Sequence, residues 1–75
     1  MKVFEIIKIG SNVLKERKIR SHILDSEILL SKTLNQSREE TLINLDKIIN
    51  KKKILEFKKF IKRRSEYEPI AYILE

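Results

Sequence analysis

The stretch that decides the fold is KKKILEFKKFIKRRSE, residues 51–66. Apolar residues recur in it at spacings of three and four, at Ile54, Phe57 and Ile61, which places them on one side of an α-helix. Asparagine is a preferred N-cap, and Asn50 stands directly before the run. The pattern therefore predicts the longest helix of the chain. The opposite side of that helix carries basic residues: Lys51, Lys52, Lys59, Lys62 and Arg63.

A second amphipathic helix is predicted at the start of the chain, over residues 2–16. Val3, Ile6 and Ile7 begin an apolar side with helical spacing, and Gly10 falls on that same side. Glycine weakens a helix interior by about 1 kcal/mol relative to alanine. Because it lacks a side chain, we expect Gly10 to let another helix approach closely.

Two shorter helices are predicted between these, over residues 22–35 and 38–43. Ser21 is the expected N-cap of the first. Ser37 is followed three positions later by Glu40, and this pair forms the pattern of a capping box at the start of the second.

Turn-forming residues are few, since the chain has one glycine and one proline. No stretch of useful length alternates apolar and polar residues, as a half-buried strand would. The predicted fold class is therefore all-α, a small bundle of four to five helices. Within it, Ile43 and Ile48 are expected to point inward, and residues 69–74 to form a last short helix or an extended strap.

The net charge of +6 is spread unevenly. Residues 47–64 contain nine lysines and arginines and one acid, Glu56. Such a segment favours an acidic protein partner or nucleic acid, although a solvated helix surface explains exposed lysines at least as well. A basic helix can lie along phosphates, but Phe57 and Phe60 stand at core spacing and do not form a stacking platform. Nucleic acid is therefore the less favoured partner.

Residues that carry catalysis or bind metal are scarce. The chain has no cysteine, one histidine (His22) and one glycine (Gly10). Metal sites need several ligands, and phosphate-binding loops need several glycines. We therefore predict no catalytic, cofactor-binding or metal-binding residue, and too little room for a typical small-molecule pocket. These features favour a binding or docking module.

Targeting segments are not evident in the sequence. No apolar stretch approaches the ~20 residues that a membrane-spanning helix needs. Charges interrupt the apolar pattern of the N-terminus, whereas the core of a secretory signal is continuous. We expect the protein to be soluble and cytoplasmic.

The chain finishes on Glu68-Pro69 followed by an apolar run that reaches Leu74. An exposed apolar segment needs a surface to pack against, so we expect residues 68–75 to begin a linker to a second domain. The predicted linker residues are Glu68, Pro69, Ile70 and Tyr72. The apolar side chains expected to pack at the domain boundary are Ile70, Tyr72, Ile73 and Leu74. Alternatively, the segment closes the core of the bundle itself, and the exposure of Tyr72 distinguishes the two cases.

Two segments resemble motifs of a known family. Residues 24–30, LDSEILL, are similar to its LDAE(I/L)LL segment. Residues 63–74, RRSEYEPIAYIL, resemble its RR…GEP(I/L)AYILG segment. Both occur in the same order and at a fitting separation in the HemK/PrmC family, the peptide chain release factor glutamine methyltransferases.

The resemblance implies a helical N-terminal domain, joined by a β-hairpin linker to a Rossmann-like methyltransferase domain. That family uses S-adenosylmethionine to methylate the glutamine of a Gly-Gly-Gln motif in a release factor. Its catalytic Asn-Pro-Pro-Tyr motif and glycine-rich cofactor loop do not occur in these 75 residues. Residues 1–75 are therefore expected to bind and orient a release factor without catalysing, with the five basic residues of 51–66 as candidate contacts.

The sequence departs from the family pattern at two positions. Tyr67 and Glu75 stand where the family has glycine. Glycine adopts the left-handed conformation at a helix C-terminus with little strain, and tyrosine does not. We therefore expect the helix of residues 51–66 to end differently from that of the family.

Overall fold

A computed structural model describes residues 1–75 and confirms the all-α prediction. The first four helices each begin and end within one residue of the predicted bounds. The last predicted segment, residues 69–74, contains a helix of four residues. No β-strand is present, and a single antiparallel bridge joins Lys2 and Ile48. None of the helices combines the length and the apolarity that crossing a membrane requires. The helices are α1 (Val3–Glu16), α2 (His22–Leu34), α3 (Arg38–Ile43), α4 (Lys51–Ser65) and α5 (Ile70–Ile73).

The core lies between α1, α2 and α4, while α3 packs on α2 and α5 packs on α4. Gly10 marks the place where α1 meets both neighbours. A Cβ atom there would lie 2.5 Å from Phe57 Cζ on α4 and 2.6 Å from Ser26 Oγ on α2. This confirms the expected close approach. The buried apolar side chains are Val3, Ile6, Ile7, Leu14, Ile19, Leu29, Leu30, Ile49, Phe57, Ile61 and Ile73.

Helix N-termini follow the sequence signals with one exception. Ser37 accepts a hydrogen bond from the Glu40 backbone at 3.1 Å, and the Glu40 carboxylate accepts one from the Ser37 backbone. Asn50 accepts a bond from the backbone of Lys53 at 2.9 Å. Ser21 was expected to cap α2 in the same way, but its hydroxyl donates to Asp25 Oδ2 at 2.9 Å. Ser21 is the N-cap residue of α2, as predicted, but it makes no capping hydrogen bond because a buried carboxylate takes its hydroxyl.

Three helices end on a left-handed residue, and none of these residues is glycine. Lys18, Asn35 and Tyr67 have φ of 62°, 55° and 69°. Beyond α4, the Tyr67 N–H donates to the Arg64 carbonyl and the Glu68 N–H to the Arg63 carbonyl, which is the Schellman pattern. The expectation that tyrosine would prevent this ending was therefore wrong.

Tyr67 holds this conformation through its side chain. The hydroxyl donates to the Arg17 carbonyl at 2.9 Å, and the Arg17 guanidinium lies 5.4 Å from the ring centroid. Arg17 Nε also donates to the Ser65 carbonyl. Left-handed conformation costs a non-glycine residue about 1–2 kcal/mol, and these contacts between the C-termini of α1 and α4 offset it.

The buried side of α2 is more polar than periodicity predicts. Asp25, Ser26 and Thr33 are buried on it, whereas Ile23 and Leu24 are exposed. Each of the three has a hydrogen-bond partner; Ser26, for example, donates to the Ile7 carbonyl on α1 at 2.8 Å. Polar groups can be buried when they are paired in this way.

Two isoleucines that were expected to point inward do not. Ile43, the last residue of α3, is 77% exposed, and Ile48 is 66% exposed. The neighbours Leu42 and Ile49 take the inward positions instead, because a helix end and an extended loop each turn only one of two adjacent side chains to the core.

Candidate partner-binding surface

The five predicted contact residues are all exposed on α4. At 100° per residue they occupy roughly a third of the helix circumference. Leu55, which is 52% exposed, lies among them. The four lysines form no salt bridge, so their ammonium groups are free to meet a partner. We call these four residues the lysine strip: Lys51, Lys52, Lys59 and Lys62.

Arg63 differs from the lysine strip because its charge is already paired. Its guanidinium donates two hydrogen bonds to the Glu68 carboxylate, one of them from Nε to Oε1 at 3.0 Å. The hydrogen bond from Arg63 lowers the pKa of Glu68, and the same bond raises the pKa of Arg63. Arg63 thus holds the start of the predicted linker against the end of α4.

Arg64 forms a more buried ion pair that sequence reasoning missed. Its Nε donates to Asp25 Oδ2 at 2.9 Å, and the two side chains are 20% and 6% exposed. A second guanidinium nitrogen donates to the Glu68 carbonyl at 3.2 Å. The pair thus joins the two segments that carry the family resemblance. The sequence did offer a signal that Asp25 is buried, because it stands four residues before Leu29 and so lies on the same side of α2.

The linker residues pack on α4 and also contact α2. Arg64 fixes Glu68 near Asp25 at the start of α2, and Lys32 Nζ, near the end of that helix, lies 3.4 Å from the Leu74 carbonyl. Ile73 is buried in the core, and Ile70 packs against it. Pro69 is exposed, and Tyr72 is 61% exposed.

Some side chains of this segment therefore close the core of the bundle, and others remain exposed as a domain boundary requires. Ile73 closes the core of the bundle itself. Tyr72 and Leu74, which is 39% exposed, leave apolar surface uncovered. A helical turn explains the division, because successive side chains point about 100° apart.

An open groove of about 400 Å³ runs between α1 and α4. We expected too little room for a cavity of this size, and that expectation was wrong, since residues of α1 and α4 together line the groove. Phe57 and Ile61 are buried at the groove, while Ile9 and Val13 are each 40% exposed. The remaining lining residues are Lys58, Lys62 and Ser65.

The only histidine contacts a serine. The His22 ring nitrogen Nδ1 lies 2.7 Å from Ser11 Oγ on α1. No third group orients the ring as in a catalytic triad. No cluster of three or more histidine, aspartate or glutamate side chains is placed to hold a metal ion.

Comparison with known proteins identifies the family of this helical bundle. The family model described as the PrmC N-terminal domain matches residues 5–74, nearly the whole described bundle. The chain belongs to the PrmC N-terminal domain family. No solved structure matches the chain significantly.

Curated relatives of this PrmC N-terminal domain are methyltransferases. It is 39% identical over 70 residues to a bifunctional methyltransferase of Rickettsia felis, covering 93% of the chain and 13% of that protein. It is 39% identical over 69 residues to the bifunctional methyltransferase of Rickettsia conorii, covering 92% and 13%. It is also 32% identical over 71 residues to a release factor glutamine methyltransferase of Leptospira interrogans, covering 95% and 25%. The chain therefore spans a quarter or less of the length of these relatives.

Proposed function

We propose that this chain is the release-factor-recognition domain of a release factor glutamine methyltransferase. It binds and orients the release factor and does not itself catalyse. The parent enzyme transfers a methyl group from S-adenosylmethionine to the glutamine of the Gly-Gly-Gln motif, in the cytoplasm, where translation takes place. The observation that carries the proposal is the family match over residues 5–74, together with the name of the Leptospira relative.

A separate recognition domain has a physical purpose in this reaction. Methyl transfer to one amide nitrogen requires the reacting atoms to be held close and aligned. Contacts far from the reacting glutamine can supply the binding energy for that alignment. The lysine strip offers such contacts to an acidic surface, since its ammonium groups have no partner within the bundle.

The residues of this chain do not fit S-adenosylmethionine. Gly10, the one glycine, lies within α1 against Phe57 and cannot form a cofactor loop. The groove carries two lysines and no carboxylate, which disfavours a positively charged sulfonium. We therefore assign the cofactor to a catalytic domain of the parent enzyme.

The linker assignment is part of the same proposal. Glu68 and Pro69 lead the chain from α4 into α5, which packs back on α4, and Arg63 and Arg64 hold the turn. Tyr72 and Leu74 then expose apolar surface. We assign this surface to contact with the catalytic domain, because an apolar patch at a domain boundary is stabilised when a neighbouring domain covers it.

Titration calorimetry of the chain with purified release factor tests the recognition role. We expect binding at low salt that weakens as salt is raised, since exposed charges are screened. Reversing the charge at Lys51 and Lys59 together should weaken binding about tenfold. Lys8 and Lys15, exposed on the outer side of α1 and unpaired, provide the matched control, and their reversal should have little effect.

The alternative function is tested in the same buffers with duplex and single-stranded oligonucleotides. A nucleic-acid-binding domain would bind them tightly with a steep salt dependence. Such binding, with none to the release factor at low salt, would overturn the recognition role.

A further inference from the structure

The groove between α1 and α4 has the form of a site for a partner side chain. Its base is apolar, at Phe57 and Ile61, and its α1 wall adds Ile9 and Val13. Gly10 contributes no side chain, so Phe57 and Ile61 pack directly against α1 and fill the floor of the groove there. An apolar side chain that enters it would lose contact with water on several sides, which is favourable.

The α4 wall carries charge of one sign. Lys58 and Lys62 line the groove, both are exposed, and neither forms a salt bridge or a side-chain hydrogen bond. They are four residues apart, so they stand beside each other on the helix at roughly 6 Å. Carboxylates at the same spacing on a partner helix would match both ammonium groups. Leu55, three residues before Lys58, extends the apolar surface and is 52% exposed.

A small-molecule ligand fits this groove less well. Small ligands are oriented by several polar groups that converge on them. Besides the two lysines, the lining offers only Ser65, and its hydroxyl already donates to the Lys62 carbonyl at 2.6 Å. The groove is thus better suited to an amphipathic helix, whose apolar side chains supply affinity and whose charges fix its position along the groove.

We propose that the α1–α4 groove receives an acidic amphipathic helix of the partner protein. One apolar side chain packs against Ile9 and Val13, and two carboxylates spaced four residues apart pair with Lys58 and Lys62. This inference rests on the proposed function, since the partner is the release factor. It adds a site that the sequence did not indicate, because the predicted contacts included Lys62 but neither Lys58 nor any residue of α1.

The test compares two double charge reversals in titration calorimetry with purified release factor. Lys58→Glu with Lys62→Glu should weaken binding about tenfold or more, because attraction is replaced by repulsion. Lys8→Glu with Lys15→Glu makes the same change in net charge on another surface and should weaken it less than about threefold. Equal losses in both variants, or no loss in the groove variant, would overturn the groove.

A second measurement requires no substitution. Because glycine and histidine each occur once, selective ¹⁵N labelling of each gives a single backbone signal, Gly10 in the groove and His22 at the start of α2, outside the groove lining. On addition of release factor, the Gly10 signal should shift or broaden more than that of His22. Binding that leaves Gly10 no more affected than His22 contradicts the groove but not the recognition role. Absence of any binding by the unaltered chain contradicts the recognition role itself.

Discussion

The two arginines at the end of α4 and the lysine strip carry the same charge but serve different purposes. Arg63 and Arg64 are paired with carboxylates of the chain itself, Glu68 and Asp25. The lysine strip has no such partner and faces solvent. Arginine suits the first role because its planar guanidinium can donate several hydrogen bonds in fixed directions. The positive charge on α4 thus has two roles. The arginines stabilise the fold, and the lysines remain free to bind a partner.

The largest effect on stability is expected when Arg64 is replaced. Arg64→Ala would leave the Asp25 carboxylate, which is 6% exposed, without its cation. We expect a loss of roughly 2–3 kcal/mol in the free energy of unfolding, since a buried carboxylate loses its cation and one of its two side-chain hydrogen bonds. Chemical denaturation monitored by circular dichroism measures it. Lys59→Ala on the same helix is the control and should change stability by less than about 0.5 kcal/mol. Similar values for the two variants would refute the distinction.

A smaller effect is expected at Tyr67, where the chain leaves α4. Tyr67→Ala removes the hydrogen bond from the hydroxyl to Arg17 and the contact of the ring with the Arg17 guanidinium. Alanine still has a Cβ atom, so the left-handed backbone at this position stays strained. Tyr67→Gly removes the same contacts but relieves the backbone strain. The glycine variant should therefore be more stable than the alanine variant by about 1 kcal/mol.

Thermal denaturation of the two Tyr67 variants side by side provides the measurement. If alanine and glycine are equally stable, the backbone at this position is not left-handed in solution. The comparison is independent of the side-chain contacts, because both variants lack them.

The smallest effect concerns pH and the pair of Arg63 and Glu68. The pKa of Glu68 is lowered in the folded chain by its hydrogen bond to Arg63. The unfolded chain therefore binds more protons than the folded one in the acidic range, and stability rises with pH there. The contribution is present above the ordinary carboxyl pKa and is lost as pH falls through the lowered value.

Melting temperatures of the chain and of Glu68→Gln, followed from neutral to acidic pH, measure this contribution. The difference between them should shrink as pH falls, because acid protonates Glu68 and removes the same charge. A constant difference would mean that the pair does not contribute. The effect should be slight, since both groups are partly exposed.

Much of the fold could be predicted from the sequence because helix signals are local. The capping box of Ser37 and Glu40 and the cap at Asn50 act within three residues. Gly10 was also recognised, since its position on the apolar pattern of α1 requires no knowledge of the partner helix. Ile43 and Ile48 show the limit, because adjacent apolar residues at an element end do not reveal which one turns inward.

The candidate site was less predictable than the fold. Exposed lysines on α4 follow from periodicity, and four of the five predicted contacts are unpaired. The groove could not be inferred, since its lining comes from two helices whose packing the sequence does not show. The pairing of Arg63 and Glu68 spans five residues but depends on the left-handed turn at Tyr67.

By itself the sequence determined the helices, their caps, the excess of charge on α4 and the resemblance to the release factor methyltransferases. Only the tertiary structure decided which polar groups are buried and which cations remain free. Ser26 meets Ile7 across 19 residues, Arg64 meets Asp25 across 39, and Tyr67 meets Arg17 across 50. Contacts of that range arise when helices pack, whereas caps and periodicity act within a turn or two of one helix.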